Sequence, residues 1–365
     1  MSFRFRVLAK DGAARRGLIE TPHGAVETPA FLPVGTLGAV KGVAPAQLAD
    51  LGASILLANL YHLAVRPGVE TIARLGGLHA FCGWQRPILT DSGGFQVWSL
   101  ARLCQVDEGG VTFRNHVDGA EMRLTPESVV AMQERLGVDI AMVLDECPPY
   151  PCERAAAERS LERTLAWARR SRAAWAGGPT ALFGIVQGSV YEDLRLAATA
   201  ELAALGFAGL AIGGVAVGEP ESERYRIVER VAPALPEDRP RYLMGVGTPA
   251  DILHAVAHGV DLFDCVLPSR NGRHGVLFEE EGPLTITNAR FRDDPTPLRC
   301  GVSRAFLHHL FTSGEVTAQV LATLHNLSFY LDFMRDLREA ITLAALADRV
   351  RATVPVGPDP SPIHP

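Results

Sequence analysis

Three aspartates close short apolar runs in this chain. Asp91 follows Ile88-Leu89-Thr90, Asp145 follows residues 140–144, and Asp264 follows Leu262-Phe263. A carboxylate at the end of an apolar run is costly unless it has a partner or a task. Taken singly, each could be a helix N-cap, the commoner use of aspartate after a strand. Three that converge on one site suit chemistry at an anomeric carbon. One carboxylate attacks or stabilises the carbon, another moves protons, and a third holds a base or a sugar hydroxyl. The residues alone do not separate a sugar hydrolase from an enzyme acting on a nucleoside. Beside Asp264, residues 267–275 read as a Gly-containing loop carrying Arg270, Arg273 and His274. Such a loop suits phosphate or nucleobase contact, or simply solvent. Phe95, just past Gly93-Gly94, could stack a base. A lone aromatic near a strand end is more often core.

The elements that would position these groups repeat. Apolar runs at 31–34, 55–58, 88–89, 140–144, 181–186, 210–212, 242–246 and 262–267 alternate with amphipathic stretches such as 126–136, 154–175, 192–205 and 221–231. Thr125-Pro126-Glu127-Ser128 is a helix start with Pro at the first helical position. Buried strands alternating with helices imply a parallel sheet, and eight of them imply a (β/α)8 barrel, an α/β fold whose function collects at the C-terminal strand ends. The first thirty residues read as short antiparallel strands. Residues 111–119 read as a hairpin inserted between the third and fourth barrel strands. From about 278 a C-terminal helical subdomain follows, with helices at 303–311 and 316–346. The single domain spans 1–350, and the Pro-rich tail 351–365 is expected to be disordered.

Composition narrows the setting. The chain has 365 residues and a net charge of −6, which argues against coating nucleic acid by bulk charge but leaves room for a local basic site. Only Lys10 and Lys41 are lysines, a bias better explained by codon usage than by a task. No apolar run is long enough to span a membrane, and the N-terminus lacks an apolar signal core. Six scattered cysteines suit a reducing compartment. A cytoplasmic protein is expected.

Six motifs, in order, carry a resemblance. They are Asp91-Ser92-Gly93-Gly94-Phe95-Gln96-Val97, Asp145-Glu146-Cys147-Pro148-Pro149-Tyr150, Gly184-Ile185-Val186-Gln187-Gly188, Ile212-Gly213-Gly214 with Ala216-Val217-Gly218-Glu219, Tyr242-Leu243-Met244-Gly245-Val246-Gly247-Thr248-Pro249, and Phe263-Asp264-Cys265-Val266-Leu267-Pro268. Together, over the chain to about residue 341, they resemble the bacterial-type tRNA-guanine transglycosylases (queuine tRNA-ribosyltransferases). The resemblance implies a (β/α)8 barrel and a pentosyltransferase of queuosine biosynthesis. Such an enzyme exchanges guanine at the wobble position of GUN-anticodon tRNAs for a 7-deazaguanine such as preQ1. In that likeness Asp264 is the nucleophile that forms a covalent tRNA–enzyme intermediate, and Asp91 is the general acid/base. Asp145, Ser92, Gln187, the Gly214 N–H, Cys147 and Val217 bind the base between Phe95 and Met244. Arg270 and Arg273 contact tRNA. Cys147 and Val217 favour preQ1 over queuine.

Two departures matter. The family's structural zinc is held by Cys-x-Cys-x-x-Cys and a distal His, whereas here only Cys300 and His325 remain. Two ligands do not make a four-ligand site. His308 and His309, adjacent on a helix, point different ways. No metal and no other cofactor is therefore expected. Structural zinc can contribute on the order of 10 kcal/mol, so packing of Phe306, Leu307, Leu310, Leu321, Leu324 and Leu327 on the barrel is expected to offset its loss. The homodimer implied by the resemblance uses the same region. Residues 103–108 also carry fewer basic groups than the family pattern, which weakens one tRNA contact. Two alternatives stand beside the leading reading: a non-catalytic tRNA-binding partner subunit, and a barrel enzyme acting on another base or nucleoside.

Overall fold

A computed structural model of the chain describes residues 3–100 and 104–347; the tail 351–365 lies outside them. The first three strands, β1 (Arg4–Asp11), β2 (Ala14–Thr21) and β3 (Gly24–Thr28), form an antiparallel meander. In β1 the residues alternate exposed and half-buried, matching the Phe5/Val7 against Arg4/Arg6 pattern.

The barrel strands are β4 (Ala30–Pro33), β5 (Leu56–Asn59) and β6 (Ile88–Asp91), then, after an insertion carrying β7 (Cys104–Asp107), β8 (Gly110–Arg114) and β9 (Glu121–Leu124), β10 (Ile140–Met142), β11 (Ala181–Val186), β12 (Gly209–Ile212), β13 (Arg241–Leu243) and β14 (Leu262–Cys265). All eight pair in parallel, in the order β4-β14-β13-β12-β11-β10-β6-β5. A Val34–Leu57 bridge closes the ring, with the Gly35 N–H donating to the Leu57 carbonyl at 2.7 Å. Each of the eight apolar runs overlaps one of these strands. They are continuous because β5, β10, β11, β12 and β13 are buried along their whole length.

The insertion differs from the expected hairpin. It is a three-stranded antiparallel sheet, and His116-Val117-Asp118-Gly119 is its second turn, held by the Asn115 side chain accepting from the N–H groups of Val117 and Asp118. The segment beside Asp264 is also not a loop. Residues Leu267–Arg273 form a short helix with Pro near its start. A Cβ on Gly272 would lie 2.8 Å from the backbone nitrogen of Thr323, so glycine is what lets this helix pack closely on the long helix Val316–Thr342.

Beyond the barrel, β15 (Val276–Leu277) and β16 (Leu284–Thr285) pair, and the helix Arg304–Thr312 precedes the long one. This region has its own apolar cluster, built on Leu277, Ile286, Phe291, Leu307 and Leu310 with Leu321 at its edge. Leu327 and Leu324 join the barrel core instead. Phe306 does neither; it is exposed beside His309 on the outer face of its helix. Polar ties complete the join. Asn326, fully buried, donates to the carbonyls of Pro268 and Val276 at 2.9 Å each and accepts from the Phe278 N–H. Tyr330 donates to the Gly247 carbonyl at 2.7 Å. Among the described residues no helix is long and apolar enough to cross a membrane, and all six cysteines are free thiols.

Two buried clamps fasten the meander to the barrel floor. Arg15 of β2 donates from Nε and Nη2 to the two oxygens of Asp261, at 2.9 and 2.5 Å, and Asp261 also accepts from the Arg241 N–H that starts β13. Asp139, just before β10, accepts from His23 Nδ1 at 2.9 Å, His79 Nε2 at 3.1 Å and the Ile88 N–H at 2.9 Å. Breaking a buried pair strands the remaining charge. Asp261→Asn is thus expected to lower unfolding free energy by about 3–5 kcal/mol in urea denaturation. Lys10→Ala, which removes the exposed Lys10–Glu237 pair, should change it by less than about 1 kcal/mol.

Candidate active site

Asp264 sits third in β14, at the C-terminal end of the barrel. One oxygen, Oδ1, accepts both a 2.5 Å bond from the Tyr242 hydroxyl and a 2.8 Å bond from the Gly245 N–H. Tyr242 comes from the neighbouring strand, and its burial pushes the phenol well above its usual range, so it remains a donor. Burial also raises the Asp264 carboxyl, against the pull of these two donors.

Asp91 ends β6 directly across from Asn59, the last residue of β5. Asn59 has two tasks. Its Oδ1 caps the helix Leu60–Val65 by accepting from the His62 N–H, and its Nδ2 donates to Asp91 Oδ2. The N–H groups of Leu60 and Gly93 donate to Asp91 Oδ1, both at 3.1 Å. Burial first, and then the Asp264 charge, nevertheless push the Asp91 carboxyl up to about 7 against those donors. A carboxyl poised there can give and take a proton near neutral pH.

Asp145 follows β10 and is buried. It accepts from Gln187 Nε2 at 2.7 Å and from Ser92 Oγ at 3.4 Å, and burial raises it to about 6. The Gln187 amide is fixed by that bond, which leaves its buried Oε1 with no partner among the described residues. An orphaned buried acceptor costs about 1–3 kcal/mol, and a ligand N–H would recover it. Gly214 has φ +61°, and a Cβ there would lie 2.2 Å from the same Oε1, so backbone must come this close to the pocket wall. Arg195, fully buried, holds that wall from behind. It donates to the carbonyls of Ser189, Val186, Gly213 and Gly214, at distances from 2.6 to 3.3 Å.

The remaining candidates lie on the segments that follow barrel strands. Phe95 is 51% exposed, so it is not core, and Met244 is half-buried. The Cys147 thiol is pushed up to about 12 by burial and the Asp145 charge, which keeps it from acting as a nucleophile. The Val217 and Ala216 N–H groups both donate to Glu219, a buried carboxylate that shapes their loop. Arg270 and Arg273 occupy the last turn of the helix Leu267–Arg273, with Arg273 bonded to the Ser269 carbonyl at 2.8 Å. Of the segment 103–108, Cys104–Asp107 is β7. Residue type and spacing did not single out Asn59 or Arg195, and Tyr242 and Glu219 stood in the motifs without a role of their own. The one available signal was a polar residue at a strand's C-terminal end, which Asn59 satisfies.

The zinc ligands of the resemblance do not assemble. His325 is buried, with Nε2 donating to the Phe278 carbonyl at 2.9 Å, and His308 is likewise bonded to the Ile286 carbonyl. Among the described residues, two groups of three His, Cys, Asp or Glu side chains bring ligand atoms within 4.8 Å of one another, and neither includes Cys300 or His325. A tetrahedral Cys/His zinc site needs four ligands, and the residues present do not fit one.

The family model described as queuine tRNA-ribosyltransferase matches residues 10–354. A queuine tRNA-ribosyltransferase of Desulforudis audaxviator is 54% identical over 352 residues, covering 93% of this chain and 95% of that one. One from Methylobacillus flagellatus is 52% identical, covering 92% and 93%. One from Zymomonas mobilis is 50% identical, covering 93% and 92%. The chain belongs to the queuine tRNA-ribosyltransferase family.

Proposed function

We propose that this protein is a tRNA-guanine transglycosylase, exchanging guanine at the anticodon wobble position of GUN tRNAs for preQ1. The observation that carries this reading is the unpaired Gln187 Oε1 beside Asp145, a pocket of acceptors for a purine edge, at the mouth that holds Asp91 and Asp264. Asp145 and Gln187 take the N–H groups of the base edge, and the Gly214 N–H donates to its carbonyl oxygen. Ser92 orients Asp145. Phe95 and Met244 supply the flanking faces, with Cys147 and Val217 lining the remainder. Arg270 and Arg273 contact the tRNA backbone.

With Oδ1 held by Tyr242 and Gly245, Asp264 Oδ2 is the oxygen that attacks C1′ of the ribose. The C1′–N9 bond breaks through an oxocarbenium-like transition state, and the departing guanine takes a proton from Asp91. In the second half, Asp91 removes the N9 proton of the incoming base. The base nitrogen then attacks C1′, and Asp264 leaves. All these groups come from one chain, so the chemistry does not require the homodimer. A cytoplasmic location accords with the tRNA substrate.

Incubation with radiolabelled guanine and a GUN tRNA should incorporate label, whereas free guanosine should not exchange. Asp264→Ala should abolish both exchange, by at least about 10³-fold, and the protein–tRNA adduct on a denaturing gel. A folded wild-type protein without exchange overturns the reading and favours a non-catalytic subunit; exchange on free guanosine favours the diverged enzyme.

The pH dependence has a definite sign. Asp264 must be ionised to attack, so kcat/KM for tRNA rises as its carboxyl loses its proton. Asp91 must be protonated to release guanine, so the same quantity falls above about 7. A profile still rising at pH 8 contradicts these roles.

We also propose that the family's zinc is dispensed with here. Cys300→Ser should leave bound metal unchanged by elemental analysis and the melting temperature within about 2 °C. Loss of one zinc per chain in that variant would contradict this.

A further inference from the structure

One side-chain cluster outside the mouth has no part in the chemistry above. His254 lies on the helix Pro249–Ala257, His258 is its C-cap, and Glu229 lies on the adjacent helix Glu221–Val231. The two histidines are four residues apart and share one helix face. Their rings stand 4.5 Å apart, tilted by 40°. His254 Nε2 is 3.5 Å from Glu229 Oε1, and the three residues bring one ligand atom each within 4.8 Å of one another.

Three details go beyond proximity. His254 Nε2 is buried, yet it has no hydrogen-bond partner among the described residues. Tyr225 stacks on the His254 ring at 4.0 Å and 9°, which fixes the ring plane. His258 Nδ1 is 2.8 Å from the His254 carbonyl, so it carries the proton and leaves the lone pair on Nε2. A second nitrogen bonded to a carbonyl in this way is the usual support of a metal-ligating histidine. Neighbouring Asp251 is already taken by Arg224 at 3.0 Å and Thr248 at 2.7 Å. Burial and the nearness of His258 lower the His254 pKa, which keeps the imidazole neutral and able to ligate.

We propose that Glu229, His254 and His258 bind one divalent ion of borderline softness, zinc in the first instance, with water completing the shell. The ion ties together the two helices that precede and follow β13, the strand that carries Tyr242 and leads into Met244 and Gly245. The His23–Asp139–His79 group does not compete for this role. Its rings are stacked 3.6 Å apart and near-parallel, so their in-plane lone pairs cannot converge on one ion, and Asp139 is satisfied by hydrogen bonds.

The test uses the full chain stripped with a chelator, dialysed, and titrated with Zn2+ against a chromophoric zinc indicator. The wild-type protein should bind one ion per chain. His258→Ala and Glu229→Gln should each weaken binding by more than about tenfold, while Cys300→Ser should not. Neither His258 nor Glu229 touches the mouth, so guanine exchange without added metal should persist in both variants and report that they are folded. Wild-type-like zinc binding by both folded variants overturns the proposal, as does a wild-type protein that binds no zinc below about 1 mM.

Discussion

Three carboxylates must share one apolar mouth without all ionising alike. Burial raises every one of them, and the Asp264 charge raises Asp91 further. What separates them is the number and placement of donors. Asp264 receives a phenol and a backbone N–H on one oxygen. Asp91 receives three donors yet still sits at about 7, chiefly because it is buried, with the Asp264 charge adding to the rise. Asp145 is held by a side-chain amide and a hydroxyl, and faces the pocket rather than the pair. This division is what lets the proposed function give attack, proton transfer and base recognition to three residues of one type.

Those donors are in place only because the strands hold register. Asn59 reaches Asp91 across the β5–β6 pairing, and Tyr242 reaches Asp264 across the β13–β14 boundary. Register rests in turn on ring closure at Val34–Leu57 and on the buried clamps under the barrel floor. The long C-terminal helix adds support at the mouth itself, since Tyr330 holds the Gly247 carbonyl and Asn326 holds the start of the helix carrying Arg270 and Arg273. Chemistry gathers at one end of the barrel and stability at the other.

Much of this was legible in the sequence. Strands buried on both faces must be continuous apolar runs, so all eight barrel strands could be read. An aspartate ending such a run is costly enough to stand out, so Asp91, Asp145 and Asp264 could be read too. The supporting residues could not. Arg195 looks like any charged position of an amphipathic helix, and its partners at Gly213 and Gly214 are local only after folding. The helix at Leu267–Arg273 was hidden because Pro268 and Gly272 read as loop residues, whereas Gly272 is there for tertiary contact. Phe306 fits an apolar pattern that its helix turns to solvent. Periodicity shows which residues are apolar, not which neighbours will cover them.

The account turns on Asp91 being held near neutrality by burial and by Asp264. Selective 13C labelling of aspartate, with the Asp91 carboxyl signal identified by its loss in Asp91→Asn, measures this directly in a pH titration. A midpoint of about 7 that falls in Asp264→Asn is the predicted result. A midpoint near 4, the ordinary carboxyl range, or one unmoved by Asp264→Asn, would contradict it.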